Sequence, residues 1–439
     1  MRETIEGLVS RIKSLNRRTL LLSGGGLALA GGIAAKRPAK EGGAHDPYFL
    51  QLQSAVKNAG LARPSLVIDR ERLSRNITTL KSHLGARMGY RIVAKSLPSI
   101  PLLAHVMKEA DTNRLMVFHQ PFLNAVATGF PKADVLLGKP MPVAAAARFY
   151  DHLGPTSFDP AAQLQWLIDT PERLDEYKAL ANARGLPMRL NLELDVGLHR
   201  GGFSDPSTLR PLLERIDADP LLTFSGFMGY DPHLAGVPDL MGWQESAFEG
   251  STALYKAFIA EAAAHYGEAW APHTMTFNTA GSPTYQMHDA TTHATEIAVG
   301  SALVKPTHFD VPTLADHVPA SFITTPVLKV SDPTKLPVLE GLSGPTRLWD
   351  RNTQRTFFIY GGHWLAEPVS PPGLRPNGFF GRSSNQEMLN GSDLINLQPD
   401  DYVILRPEQS EFVFLQFGDI AVLEDGAIVD SWPVFSSGA

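Results

Sequence analysis

The stretch Tyr90-Arg91-Ile92-Val93-Ala94-Lys95-Ser96 reads as a β-strand that ends on a lysine, and Ile100-Pro101-Leu102-Leu103-Ala104-His105-Val106 opens a helix directly behind it. In a β/α barrel such a lysine projects from the C-terminal mouth, the face at which strand ends and βα loops carry the chemistry. An amine in a partly desolvated pocket gives up its proton more readily, and a neutral amine can condense with a carbonyl to a Schiff base. Taken alone, a lysine after a strand reads as a solvated loop residue. The rest of the chain shifts that balance.

Outward from this stretch the pattern alternates strand and helix. Ser65-Leu66-Val67-Ile68 is a short β run, and Asp69 is an N-cap for the helix behind it, where Leu73, Ile77, Leu80 and Leu84 form one apolar stripe. Further strands are expected at 91–95, 115–118, 134–137, 164–168, 189–194, 223–228, 274–278 and 296–299, with helices near 121–129, 143–153, 172–183, 208–216 and 251–266. Such alternation argues for a parallel sheet covered by helices. Seven or eight units in this length fit a closed (β/α)8 barrel, with an open sheet as the alternative. After residue 310 helical periodicity fades. β runs appear at 322–325, 356–360, 402–405 and 412–415, Asp425-Gly426 marks a hairpin, and Val369 to Asn390 reads as a long loop. The expected organisation is an export signal and linker over 1–45, a barrel over 60–310 and a C-terminal antiparallel β domain over 311–439, to which 46–59 lends structure.

Composition bounds the function. The 439 residues carry 44% hydrophobic and 19% charged side chains, an ordinary globular balance. A net charge of −6 argues against a nucleic-acid partner. The absence of cysteine excludes disulfides, thiolate metal sites and a cysteine nucleophile. Arg17-Arg18 ahead of a mild apolar, glycine-rich run to Ala35 resembles a twin-arginine export signal, which implies a periplasmic or membrane-anchored protein and contact with export machinery. An uncleaved amphipathic tail on a cytoplasmic protein is the other reading.

Five short motifs follow in order along the chain: Ala94-Lys95-Ser96; Asp195-Val196-Gly197-Leu198-His199-Arg200; Gly226-Phe227-Met228-Gly229-Tyr230-Asp231-Pro232-His233; Asn278-Thr279-Ala280-Gly281-Ser282-Pro283-Thr284; and Glu296-Ile297-Ala298-Val299-Gly300-Ser301. Together they resemble the fold-type III pyridoxal-phosphate enzymes, and most of all their D-serine dehydratase and D-threonine aldolase branch, which shares its barrel with alanine racemase. The resemblance spans roughly 60–435. It implies that Lys95 holds pyridoxal phosphate as an aldimine and then serves as an acid/base, and that Arg200 reaches the pyridine ring. It also implies that Tyr230 flanks the cofactor, that His233 contacts substrate, and that Gly281, Ser282, Gly300 and Ser301 close around the phosphate. Without the motifs, Arg200 reads as a surface ion pair, and Tyr230 and His233 as packed loop residues.

Two positions depart from that pattern. Ala298 stands where racemase and aldolase members often have arginine. In Arg406-Pro407-Glu408-Gln409-Ser410-Glu411 the family's metal pair is replaced by Gln409 and Glu411, with Asp430-Ser431-Trp432-Pro433 keeping the register. These offer only oxygen ligands, which suit hard cations and suit zinc poorly, so the expectation is chemistry without the family's metal pair: Glu411 acting as a base, or metal-free chemistry at Cα with Glu411 as a structural carboxylate. His363, in Gly361-Gly362-His363-Trp364, is a further candidate, more simply read as a packed histidine. The resemblance implies a lyase acting on D- or β-hydroxy amino acids, as a homodimer. The rivals are an amino-acid racemase, a pyridoxal-phosphate-binding protein without turnover, and a cofactor-free barrel enzyme with an incidental lysine.

Overall fold

A computed structural model of the chain describes residues 37–85, 88–238, 240–289, 293–332, 349–378 and 381–436. The export-signal reading falls on residues 1–36 and lies outside them. Among the described residues no helix is long and apolar enough to cross a membrane. The described residues divide into two compact units, one drawn from 47–326, 363–368 and 402–436 and the other from 37–46, 327–332, 349–362 and 369–401.

The first unit holds the barrel. Of the nine strands read from the sequence before residue 310, β1 (Ser65–Asp69) lies elsewhere. The other eight are β2 (Gly89–Val93), β3 (Arg114–Val117), β4 (Asp134–Leu137), β5 (Leu164–Ile168), β6 (Met188–Leu194), β7 (Leu222–Gly229), β8 (Thr276–Thr279) and β9 (Glu296–Val299). They close a parallel barrel through β2 and β9, in the register Gly89 to Glu296 and Ile92 to Val299. Strands covered on both faces read as near-continuous apolar runs, as Leu164–Ile168 does with every residue buried. At the N-terminal ends of the strands Arg91 is fully buried. It is held by Glu296 at 2.5 Å, by Asp134 at 2.8 Å and by two backbone carbonyls. Gln165 reaches from β5 to Thr276 on β8 at 2.9 Å. The lumen is therefore a packed core, and open space is left to the mouth.

β1 is corrected from barrel to sheet. It pairs antiparallel with the start of β10 (Ser321–Ser331), Ser65 facing Thr324, and parallel with β16 (Ile420–Glu424), Val67 facing Ala421. Its five buried residues suit either place, and local pattern does not say which. β15 (Tyr402–Pro407) joins through Ile323 and Leu405, and β17 (Ala427–Trp432) through the Asp425-Gly426 turn, both residues at positive φ as a tight hairpin requires. Helix Pro47–Asn58 buries Leu52, Ala55 and Val56, and its Gln53 accepts the Tyr402 N–H. Asp69 caps helix Arg70–His83 by accepting the Arg72 N–H at 2.9 Å, a contact worth about 1 kcal/mol.

Two further expectations fail. Residues 412–415, read as a strand from their aromatics, belong to a helical turn, Glu411–Phe414, which buries Val413 and Phe414 and leaves Phe412 68% exposed. The segment read as a loop over 369–390 contains the end of β12 (Ala366–Ser370), then β13 (Arg375–Pro376) and most of β14 (Gln386–Gly391). β14 lies in the second unit. It pairs over six residues with β11 (Arg355–Tyr360), which also pairs with the end of β10. Proline and glycine punctuation hid these short strands. The segment from residue 37, read as linker, is tied into this unit: Glu41 accepts from Arg375 and its N–H donates to Asn352.

Candidate active site

Lys95 sits in a single turn, Ala94–Ser96, that leaves β2 at the barrel mouth. Ala94 and Ser96 are buried, and the half-buried lysine reaches furthest toward solvent. Its Nζ lies 3.0 Å from Glu411 Oε1 and 4.6 Å from the centroid of the Phe118 ring. Phe118 leaves β3, and its ring fills the space beside Gly138, where a Cβ would come within 2.3 Å of it. Glu411 arrives on the helical turn that the sequence reading took for a strand.

The second motif leaves β6 in a sharp turn, with Gly197 at φ 110. Asp195 Oδ1 accepts the N–H groups of Gly197 and His199 at 3.1 and 2.8 Å, which fixes the path to Arg200. The guanidinium of Arg200 stands 5.0 Å from the centroid of the Tyr230 ring, in a cation–π arrangement. Burial raises the pKa of Tyr230, against the pull of Arg200, so its hydroxyl stays protonated. β7 reaches Tyr230 past Gly226, at φ 131, where a Cβ would come within 2.0 Å of the Thr276 carbonyl oxygen.

Two small-residue turns close the far side. A Cβ on Gly281 would lie 2.5 Å from the Tyr230 ring, and one on Gly300 2.8 Å from Ser96 Cβ and the Val93 carbonyl oxygen. The Ser282 hydroxyl accepts the N–H groups of Ala302 and Gly300 at 3.0 and 3.4 Å. Ser301 Oγ donates to Ser96 Oγ at 3.0 Å, and Ser96 Oγ to Glu411 at 3.5 Å.

All of these groups face one cavity, open to solvent at the mouth: Lys95, Ser96, Arg200, Tyr230, Gly281, Ser282, Gly300, Ser301 and Glu411. Val93, Met116, Phe118, Met228, Ala298 and Phe309 supply apolar wall, and Asn278 a further amide. An apolar wall with a few convergent polar groups is the make-up of a small-molecule site. The donor set combines an amine, a guanidinium and several hydroxyls above a floor of small residues. That set fits a flat ring bearing an electrophilic carbonyl and an anionic arm.

Other candidates fall outside it. His233 packs its Nε2 against the Gly197 turn and does not line the cavity. Gln409 reaches His308 at 3.5 Å, whereas Glu411 reaches Lys95, so the two former ligand positions have different partners. Among the described residues no group of three or more His, Asp or Glu side chains is arranged to hold a metal ion. His363 is exposed, at φ 57, and lines no part of the cavity. The sequence reading missed Phe118, whose only signal was its place at a strand end. It also missed Glu193, buried on β6, whose carboxyl is pushed up to about 7 by burial together with Asp169 and Asp195, with Arg200 pulling it down.

A βα barrel with one lysine at its mouth, facing a floor of serines and glycines, defines a class of small-molecule site. Residues 68–307 match the profile of the alanine racemase N-terminal domain, which spans more than half of the chain, and the protein belongs to that family. Solved structures share the fold over most of their length. The D-threonine aldolase of Filomicrobium marinum aligns with TM-score 0.64 and 16% identity, over 85% of this chain and 95% of its own. The D-threo-3-hydroxyaspartate dehydratase of Delftia sp. HT23 gives 0.64 and 15%, over 85% and 97%. The alanine racemase of Bacillus anthracis gives 0.63 and 13%, over 84% and 97%. A search of curated protein sequences found no match.

Proposed function

We propose that this protein is a pyridoxal-phosphate-dependent amino-acid lyase acting on D- or β-hydroxy amino acids, of the D-threonine aldolase or D-serine dehydratase kind. The observation that carries the reading is the Lys95 amine held 3.0 Å from the Glu411 carboxylate inside the barrel-mouth cavity. Lys95 would hold the cofactor's aldehyde carbon, the Ser282 and Ser301 hydroxyls its phosphate, with Gly281 and Gly300 leaving room for it, and Arg200 and Tyr230 its ring. When bound, pyridoxal phosphate supplies an electron sink for negative charge developing at the substrate Cα.

The chain's own residues supply the rest. With the cofactor bound, the Lys95 amine would carry a proton at the substrate Cα. Glu411, which pairs with the Lys95 amine at 3.0 Å, would accept the proton of a substrate's β-hydroxyl in a retro-aldol cleavage. Arg200 supplies a guanidinium, which neutralises negative charge without donating a proton. The protonated Tyr230 donates a hydrogen bond. Phe118 shields the amine from water on one side.

Purified protein should show a visible band that borohydride bleaches, with the added mass on a Lys95 peptide. K95A should lose the band and all turnover. E411Q should keep the band and lose roughly 10²–10⁴ of kcat, the usual worth of an acid/base group. D-threonine giving glycine and acetaldehyde marks an aldolase, and D-serine giving pyruvate marks a dehydratase. Inversion at Cα with neither product would replace the lyase reading by a racemase. Because Gln409 and Glu411 offer oxygen ligands alone, activity should survive chelators. Loss on chelation with recovery on manganese would reject that part of the reading.

A further inference from the structure

We infer that Asp231, through Thr284, is the positioning residue that sets the phosphate end of this cavity. The inference rests on the pyridoxal-phosphate reading and extends it to groups outside the cavity wall. Asp231 follows Tyr230 at the exit of β7 and is 1% exposed. Its Oδ1 accepts the Thr284 hydroxyl at 2.6 Å, and its Oδ2 accepts from His288 Nε2 at 2.7 Å. Thr284, fully buried, accepts in turn the N–H of Gly281 at 3.1 Å. The N–H groups of Thr284 and Tyr285 both return to the Gly281 carbonyl at 3.0 Å. The stretch Gly281 to Tyr285 is thus a closed turn whose hydroxyl pivot is anchored on a carboxylate of the neighbouring strand exit.

That anchor spans two walls. The exit of β7 carries Tyr230, and the exit of β8 carries Gly281 and Ser282. The Tyr230 ring sits so close to Gly281 that no Cβ would fit between them. Ser282, one residue into the turn, holds the amides of Gly300 and Ala302. One carboxylate therefore fixes the spacing between the tyrosine ring, the serine hydroxyl and the amides that follow β9. Leaving a buried hydroxyl or carboxylate without its partner costs enough to move the turn. Phe248 covers His288 edge-on at 5.1 Å.

The test measures dissociation constants of the full-length protein, freed of bound cofactor, for two probes: pyridoxal phosphate and pyridoxal, which lacks the phosphate. The variants are T284V, which keeps the shape and removes the hydroxyl, T284S, which restores it, and D231N. T284V and D231N should weaken pyridoxal phosphate by at least about tenfold, and leave pyridoxal within about twofold of the unaltered protein. T284S should bind both probes as the unaltered protein does. T284V binding both probes normally, or losing both equally, overturns the positioning role, the second outcome being that of a general packing residue. Unaltered protein that takes up neither probe overturns the cofactor reading itself, and is told apart from the other failures by that control.

Discussion

Lys95 and Glu411 come from far apart in the sequence and meet at 3.0 Å, so each sets the other's charge environment in the site. A neutral glutamine at 411 removes both the ammonium's partner and the proton acceptor, which is why E411Q is expected to spare cofactor uptake and lower turnover. Glu193 gives a prediction of a different kind. Burial, first among its causes, raises its carboxyl to about 7 from an ordinary 4.5. Below pH 4.5 the group is protonated in both folded and unfolded chains, and folding carries no electrostatic cost. Between 4.5 and 7 the unfolded chain ionises first, so stability falls as pH rises, and above 7 the loss is complete. The full effect is roughly 3 kcal/mol. E193Q should therefore be more stable than the parent protein at pH 8 and equal to it at pH 4. Urea titrations at the two pH values check this, and parallel curves at both would show that Glu193 ionises freely in the fold.

At the scale of elements, the strand exits decide the site, and several are built on glycine. Gly226 lies at φ 131, and a Cβ there would collide with the Thr276 carbonyl at 2.0 Å. G226A should cost roughly 3 kcal/mol, read as a lowered urea midpoint, because backbone rather than a side-chain tip must move. A midpoint shift within error would show that β7 and β8 part easily. The eight barrel strands and the loops carrying the five motifs were legible, because strand and helix differ in period and small residues mark the tight exits. The fate of β1 was not. Val67 and Ile68 are apolar enough for either sheet, and pairing with residues 321–324 and 421–423 is a non-local choice that no local pattern encodes. The turn at 411–414 failed for a related reason: alternating aromatics suit a buried strand, and only tertiary packing exposes Phe412. The aim of Glu411 at Lys95, and of Asp231 at Thr284, depends on distances between strand exits, which spacing along the chain does not contain.

At the scale of the molecule, pH stability sums opposing groups. His317 is buried, with its Nε2 accepting the Tyr285 hydroxyl at 2.7 Å, and burial pushes its pKa down to about 4. His293 is pushed by burial to about 3. As pH falls below 6.5 the unfolded chain takes up protons that these imidazoles refuse, so stability is lost towards pH 4 and below. H317Q should flatten that acid limb, measured by denaturant midpoints between pH 6.5 and 4, and an unchanged slope would assign the limb to other groups. β1 carries a consequence for biosynthesis. It leaves the ribosome early, yet both strands that flank it, at 321–324 and 421–423, emerge late. Throughout most of translation the apolar Leu66-Val67-Ile68 at the heart of this strand waits without its sheet partners, and closes on them only once residues 421–423 have been made.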